Sequence, residues 1–241
     1  MENEAIQNRE PFLQNLREKL GIERQPVSAH PFTPINQLPT TQLAEKTPNE
    51  LLAITKERVA KIRATLVETT KENLGQTLKE WIKNFGGGSV LLPTDERFAA
   101  YGLTEFYEGA AFGEAKLTCW QPGNEMRQEN LQKAANANIA IAFAEYLLAE
   151  SGTVVVESSA GQGRSLHFLP KHYLSIIPMS RLVPRSTQPA AYYTKQVASG
   201  AATGSAIHFI SGPSNSGDIE MQLVVGLHGP LEVCYVVITD C

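Results

Sequence analysis

Cysteine is scarce in this chain and does not cluster. Cys119, Cys234 and Cys241 are the three in 241 residues, without the close pairs or triplets from which zinc and iron–sulfur sites are built, so no resident metal is expected. Basic charge is short too: 21 Lys and Arg against 25 Asp and Glu leave a net charge of −4, and no Lys/Arg cluster interleaves with aromatic residues. That removes the field a nucleic-acid partner requires. No apolar run approaches the length of a membrane span, and Met1-Glu2-Asn3-Glu4 lacks the basic region and apolar core of a signal peptide, so a cytoplasmic location is expected. A nucleophile elbow, a zinc-binding helix motif and a repeat of fixed period are all missing. Gly161-Gln162-Gly163 lacks the third glycine of a dinucleotide fingerprint, and the sequence gives no sign of a helix after it.

With 42% hydrophobic and 19% charged residues, the chain can bury one sizeable core and carry an appendage. Residues 1 to 20 place Ile6, Leu13, Leu16 and Leu20 on one helical face, with Gly21 as the stop. From Ile22 to Thr47, prolines 26, 31, 34 and 39 predict an extended linker or a strap on the domain surface. The organisation read from this is residues 1–47 as amphipathic helix plus Pro-rich linker and residues 48–241 as an α/β domain. Thr47-Pro48-Asn49-Glu50 has the form of a capping box opening a long helix with Leu52, Val59, Ile62 and Leu66 inward. A second helix, 73–84, buries Leu74, Leu78, Trp81 and Ile82. Gly86-Gly87-Gly88 precede a strand and lack a Lys-Ser/Thr pair, so they read as a helix stop and not a phosphate loop.

Beyond them the pattern predicts helices at 95–101, 125–136, 143–150, 187–198 and 218–227. Strands are predicted at 89–92, 116–120, 138–142, 153–157, 166–169, 172–177, 206–210 and 231–238. Such alternation means a layered α/β domain with a mostly parallel sheet. Cys234 falls in the last strand and reads as a small core hydrophobe, whereas Cys241 is expected to be mobile and open to oxidation.

Three clusters could carry chemistry. Ser211-Gly212-Pro213-Ser214-Asn215-Ser216-Gly217-Asp218 lies between a strand and a predicted helix, so Gly212, Ser214, Asn215, Ser216, Gly217 and Asp218 would cradle an anion with backbone N–H groups, Asp218 or Ser216 acting as N-cap. The same composition suits any strand-to-helix turn. In Glu145 to Glu157, Glu145 and Glu150 are candidates for a general base or for hydroxyl recognition, beside Ser151, Gly152 and Thr153; their alternative is solvated charge. In the third cluster Arg164 could fork onto a carboxylate or phosphate and His172 could shuttle a proton, against a plain turn with an exposed Arg; Lys171 reads as surface. His228 reads as a structural helix C-terminal residue, His167 and His208 as core or edge residues of strands, and His30 carries no signal.

The ordered set Ala144-Glu145-Tyr146, Ala149 to Thr153, Gly163-Arg164, Leu169 to His172, and Ser211 to Ser214 through Gly226-Leu227-His228-Gly229-Pro230 resembles the lactate-utilisation protein C family, the LUD domain, over roughly residues 50–238. Ser151 stands where that family usually has Thr, and Asn215-Ser216-Gly217 replaces a loop that commonly carries an Arg or Lys. Any charged ligand would then depend on backbone N–H groups or Arg164. The resemblance implies a fold similar to the superfamily of glucosamine-6-phosphate deaminase, ribose-5-phosphate isomerase and CoA transferases. It also implies a role in oxidising L-lactate to pyruvate beside two iron–sulfur partner proteins, the clusters lying in the partners and no cofactor in this chain. Three roles follow: a non-redox subunit binding a small carboxylate or phosphorylated ligand, with Glu150 and His172 as catalytic candidates; a scaffold without chemistry that docks a partner or a second copy through its N-terminal arm; or a stand-alone CoA-transferase-like or isomerase-like enzyme.

Overall fold

The structure, a computed structural model, describes residues 8–23, 35–108, 115–201, 204–219 and 222–241. It divides into two compact units, Met1–Gln37 and Leu38–Cys241. In the first, α1 (Arg9–Leu20) ends at Gly21, and the Ile22 N–H bonds the Arg17 carbonyl at 3.0 Å. None of its residues is buried, and Phe12, Leu16 and Leu20 are exposed. Ile6 lies outside the described residues.

The second unit opens with a single turn, α2 (Leu38–Thr41), where the sequence predicts none; Pro39 fits the first turn because no intrahelical N–H is needed there. The Thr187 hydroxyl bonds the Pro39 carbonyl and Arg185 Nη1 bonds the Leu38 carbonyl, so this turn is tied to the segment that opens at Arg185. The capping box is formed. Thr47 Oγ1 accepts from the Glu50 N–H, and the Thr47 N–H bonds Glu50 Oε2 at 2.9 Å, starting α3 (Pro48–Lys61). Lys46, then the hydrogen bonds of Thr47, hold the exposed Glu50 carboxyl down to about 2. Thr47→Ala should cost about 1 kcal/mol, read as a lower urea midpoint with unchanged slope.

Leu51, Leu52 and Val59 of α3 are buried, but the helix stops before Ile62, and Leu66 belongs instead to β1 (Thr65–Thr69). Five further strands complete a parallel sheet: β2 (Ser89–Leu92), β3 (Lys116–Cys119), β4 (Ile139–Phe143), β7 (His172–Pro178) and β12 (Glu232–Ile238), in the order β1-β12-β7-β4-β2-β3. The runs of β4, β7 and β12 are apolar nearly throughout because both faces are covered. Period-two alternation divides them. Ile139, Ile141, Phe143, Leu174, Ile176, Val236 and Ile238 meet Leu74, Leu78 and Ile82 of α4 (Leu74–Asn84) and Phe98 of α5 (Arg97–Ala100). Ala140, Ala142, Tyr173, Ile177, Tyr235 and Val237 meet α3, Ala134 of α6 (Arg127–Asn136) and a second sheet. Cys234 is fully buried, which pushes its thiol up to about 12, and it packs as the small hydrophobe expected. Cys241 is half-buried and its carbonyl accepts from the Ser180 N–H at 2.8 Å, so the mobile end expected there is tied to the domain.

The second sheet has the order β8-β5-β6-β9, from β5 (Tyr146–Leu148), β6 (Thr153–Ser158), β8 (Leu182–Val183) and β9 (Ala206–Ile210); α8 (Thr187–Ala198) covers its outer side with Tyr193 against Leu148 and Val155. Here the predicted helix at 143–150 is corrected. Good helix formers are pulled into β5 because Tyr146 and Leu147 pair with Val155 and Val154 across the turn closed by the Gly152 N–H on the Leu148 carbonyl. The strand predicted at 166–169 is α7 (Arg164–Phe168), so a short helix does follow Gly161-Gln162-Gly163. Its apolar run is too short for periodicity to separate the two.

The helix predicted at 218–227 is also absent. Those residues form the antiparallel hairpin β10 (Asn215–Ile219) and β11 (Gln222–Val225), with Asn215 opposite Val225. The four-residue spacing of Leu223 and Leu227 resembles a helical stripe, yet both are about half exposed, so nothing buries that stripe. The β-branched pair Val224-Val225 favours the strand.

Candidate functional site

In the parallel sheet the chain leaves β2 toward β3 on one side, whereas the strands after β4 add on the other side, at β7 and β12. Between the carboxyl ends of β2 and β4 the winding therefore reverses, and open α/β sheets hold ligands at such switch points. A cleft of about 390 Å³ lies there, lined by Thr94, Asp95, Glu96, Arg97, Glu145, Glu157, Ser159 and Gln162.

Local chemistry builds it. Pro93 ends β2, and its carbonyl takes the Tyr107 hydroxyl at 2.7 Å. Asp95 Oδ1 then accepts from the Arg97 N–H at 2.9 Å, which bends the chain into α5. Arg97 turns back over the end of the sheet: Nε bonds both Asp95 oxygens at 3.0 and 2.9 Å, Nη2 lies 2.7 Å from Oδ2, and Nη1 lies 2.9 Å from Glu145 Oε1. Its guanidinium sits 5.2 Å from the centre of the Phe143 ring. Burial works against the Arg97 charge, but Asp95 and Glu145 outweigh it and raise its pKa. One guanidinium thus clamps the two strands across the switch point.

The far wall comes from the β6–α7 connection. The Thr94 N–H bonds the Gly161 carbonyl at 2.8 Å and the Thr94 hydroxyl bonds the Trp120 carbonyl at 2.6 Å. The backbones approach so closely that a Cβ at Gly161 would stand 2.2 Å from the Thr94 oxygen, which only glycine avoids. Glu157 is held by the Tyr193 hydroxyl at 3.1 Å and by the Gly204 N–H. Buried Gln162 donates to the Glu157 carbonyl at 2.8 Å, and its Oε1 has no hydrogen-bond partner among the described residues. Four carboxylates face one guanidinium already in use, so the cleft favours a ligand that brings hydroxyl or amino donors over a bare carboxylate. Among the described residues no group of three or more His, Cys, Asp or Glu is placed to hold a metal ion, and no helix is long and apolar enough to cross a membrane.

Residues 52–238 match the model of the LUD domain. The chain is 43% identical over 241 residues to the Lactate utilization protein C of Geobacillus thermodenitrificans (strain NG80-2), covering 98% of each chain. It is 40% identical to that of Bacillus licheniformis (strain ATCC 14580), covering 100% of each, and 39% identical to that of Bacillus subtilis (strain 168), covering 98% of each. The chain belongs to the LUD-domain family. Within it, the chain groups with the proteins named Lactate utilization protein C. A crystal structure of a DUF162 family protein from Deinococcus radiodurans has the same fold at a TM-score of 0.52 and 14% identity, over 80% of this chain and 99% of that one.

The LUD domain separates the residues singled out from the sequence. Glu145 reaches the switch-point cleft. Glu150 does not line it; its Oε2 is paired with Arg185 Nε at 2.7 Å. Ser151, Thr153 and Ser211 form a hydroxyl chain at 2.7 and 2.6 Å near the start of β6, the end opposite Glu157. His172 is the first residue of β7, at the amino end of the sheet, stacked on Phe85 at 4.5 Å with Nδ1 3.1 Å from the Asn138 carbonyl.

The 212–218 loop lies near that amino end as well. The Ser214 N–H bonds the Pro230 carbonyl at 3.0 Å, Ser214 Oγ takes the His228 N–H at 3.2 Å, Asn215 Nδ2 bonds the Pro213 carbonyl at 2.8 Å, and the Leu231 N–H bonds the Lys171 carbonyl at 2.7 Å. Gly212, Ser214, Asn215, Ser216, Gly217 and Asp218 therefore open no helix. The predicted cradle at a helix N-terminus, with Asp218 or Ser216 as its cap, gives way to a strand, and His228 sits at no helix end. Arg164 opens α7, with Leu131, Ser165, Phe168, Leu169 and His208 lining the cleft around it and no residue of that loop among them. His167 is buried in α7, and His208 lies on the edge strand β9, bonded to Ser158 Oγ at 2.8 Å. His30 lies outside the described residues.

Sequence reasoning missed Thr94, Asp95, Arg97, Glu157 and Gln162. The available signal was Pro93-Thr94-Asp95-Glu96-Arg97 directly after the apolar strand 89–92, a charged turn at a strand's carboxyl end.

Proposed function

We propose that this chain is a non-redox, ligand-binding component of an L-lactate-utilising system, in which two iron–sulfur partner proteins take the electrons released when L-lactate becomes pyruvate. The observation that carries the reading is similarity at 39–43% identity, end to end, to relatives named for lactate utilisation. The three scattered cysteines support placing the clusters in partners. In this reading the ligand binds at the carboxyl ends of β2 and β4, where Arg97 fixes the wall, Glu145 and Glu157 accept hydrogen bonds and Gln162 supplies a further acceptor.

L-lactate-dependent dye reduction by the partner proteins, measured with and without this chain, tests the role; equal rates would overturn it. Arg97→Met tests the cleft. It leaves Asp95 and Glu145 facing each other uncompensated, so stability should fall by about 2 kcal/mol, less than a fully buried pair because part of the Arg97 side chain is solvated. Dye reduction should fall with it, whereas the conservative Arg97→Lys should recover part of both.

A second reading, assembly through the N-terminal arm, is favoured by α1, whose Phe12, Leu16 and Leu20 are exposed with no residue buried. Deleting residues 1–37 leaves the strap contacts of Leu38 and Pro39 in place. Loss of co-purification with partners, with the domain still folded, supports the docking arm; unchanged assembly removes it.

A further inference from the structure

A second cleft, of about 460 Å³, is separate from the acidic one: Leu131 of α6, Arg164, Ser165 and Phe168 of α7, Leu169 and His208 of β9 line it. Its composition is the reverse of the first. Three walls are apolar, no carboxylate lines it, and Arg164 has no ion-pair partner among the described residues. His208 is fixed in place. Its Nε2 bonds Ser158 Oγ at 2.8 Å, and its ring meets Phe168 edge to face at 5.4 Å. Burial, and then the Arg164 charge, lower the His208 pKa, so the two basic groups feel each other without an anion between them. The residues that touch His208 are otherwise neutral: Ser158, the Phe168 ring and buried His167.

We propose that this cleft binds an organic carboxylate with an apolar body. The carboxylate takes the Arg164 fork, with His208 Nδ1 as a second donor, while the body covers Leu131, Phe168 and Leu169. L-lactate has too little apolar surface to cover those three side chains, so the proposal does not rest on the lactate reading. The site takes a different molecule. It also supplies what the switch-point cleft lacks, an uncommitted cation beside an apolar wall.

The test is an NMR titration of the full-length protein with hexanoate, L-lactate and inorganic phosphate. Hexanoate should shift the His208 ring and Leu131 methyl signals saturably, and should bind more tightly than L-lactate or phosphate. Arg164→Gln should weaken hexanoate at least about tenfold, the loss expected for one charge-assisted contact. Arg164 is exposed, so the variant should fold, and an unchanged melting temperature checks that. The proposal is overturned if Arg164→Gln binds hexanoate like the parent, if phosphate binds more tightly than hexanoate, or if the shifts map to Arg97 and Glu145. Loss of lactate-dependent dye reduction plays no part in this test, so it can fail while the pathway reading stands.

Discussion

Replacing Gly212 by alanine should destabilise the domain by about 3 kcal/mol, the sum of backbone strain and a clash that cannot relax. Gly212 has φ +67°, and a Cβ there would stand 2.4 Å from the Ile62 carbonyl oxygen. That oxygen belongs to the end of α3, which is pinned by the Ile62 N–H on the Arg58 carbonyl at 3.1 Å. Gly212 is itself pinned, its N–H bonding the Tyr235 hydroxyl at 3.0 Å. Neither side can yield without moving a helix or β12. Gly217, in the adjoining strand β10, would meet nothing within 4 Å with a Cβ and has no positive φ, so Gly217→Ala should be neutral or slightly stabilising. Urea unfolding of the two variants decides it: equal losses would mean the loop acts as a unit, and no loss at Gly212 would mean the close approach is absent. The glycine needed here serves packing. The segment that reads in sequence as a cradle for a ligand also makes a joint between β9, the end of α3 and β12.

That loop shows where the sequence was legible. The central strands could be read because each is a short, continuous apolar run, and burial on both faces leaves no other use for such a run. Thr47 to Glu50 could be read because a capping box is a local contract among four residues. The elements misread are those decided by cross-strand pairing in a hairpin and not by the period within the segment itself. Tyr146 to Leu148 becomes a strand because residues 153–155 lie beside it, and Gln222 to Val225 because residues 215–219 do. The switch-point cleft is hidden from the sequence for a related reason. Strand order fixes which ends meet at the switch point, and no local pattern states that order. Glu145 stands out in the sequence only as one of the carboxylates near the Ser151-Gly152-Thr153 turn. Arg97 was passed over because its significance depends on β4 lying beside β2.

Acid should destabilise the protein progressively from about pH 6.5 downward, and His167 should account for much of the slope. Its imidazole is fully buried in α7, with Nδ1 3.0 Å from the Tyr173 hydroxyl and Nε2 without a partner among the described residues. Burial first, and the nearby His208 second, lower its pKa from 6.5 to about 3. The folded protein therefore refuses a proton that the unfolded chain accepts. Stability from this group is complete above pH 6.5 and is lost as pH falls toward about 3, by at most about 1.4 kcal/mol per pH unit. His167→Asn keeps an amide near the Nδ1 position for Tyr173 and removes the titration. Its baseline stability should drop because the side chain is smaller, so the slope and not the intercept carries the test. Urea midpoints between neutral pH and pH of about 4 should fall steeply for the parent and much less for His167→Asn; parallel slopes would mean that carboxylates, not His167, set the acid limit.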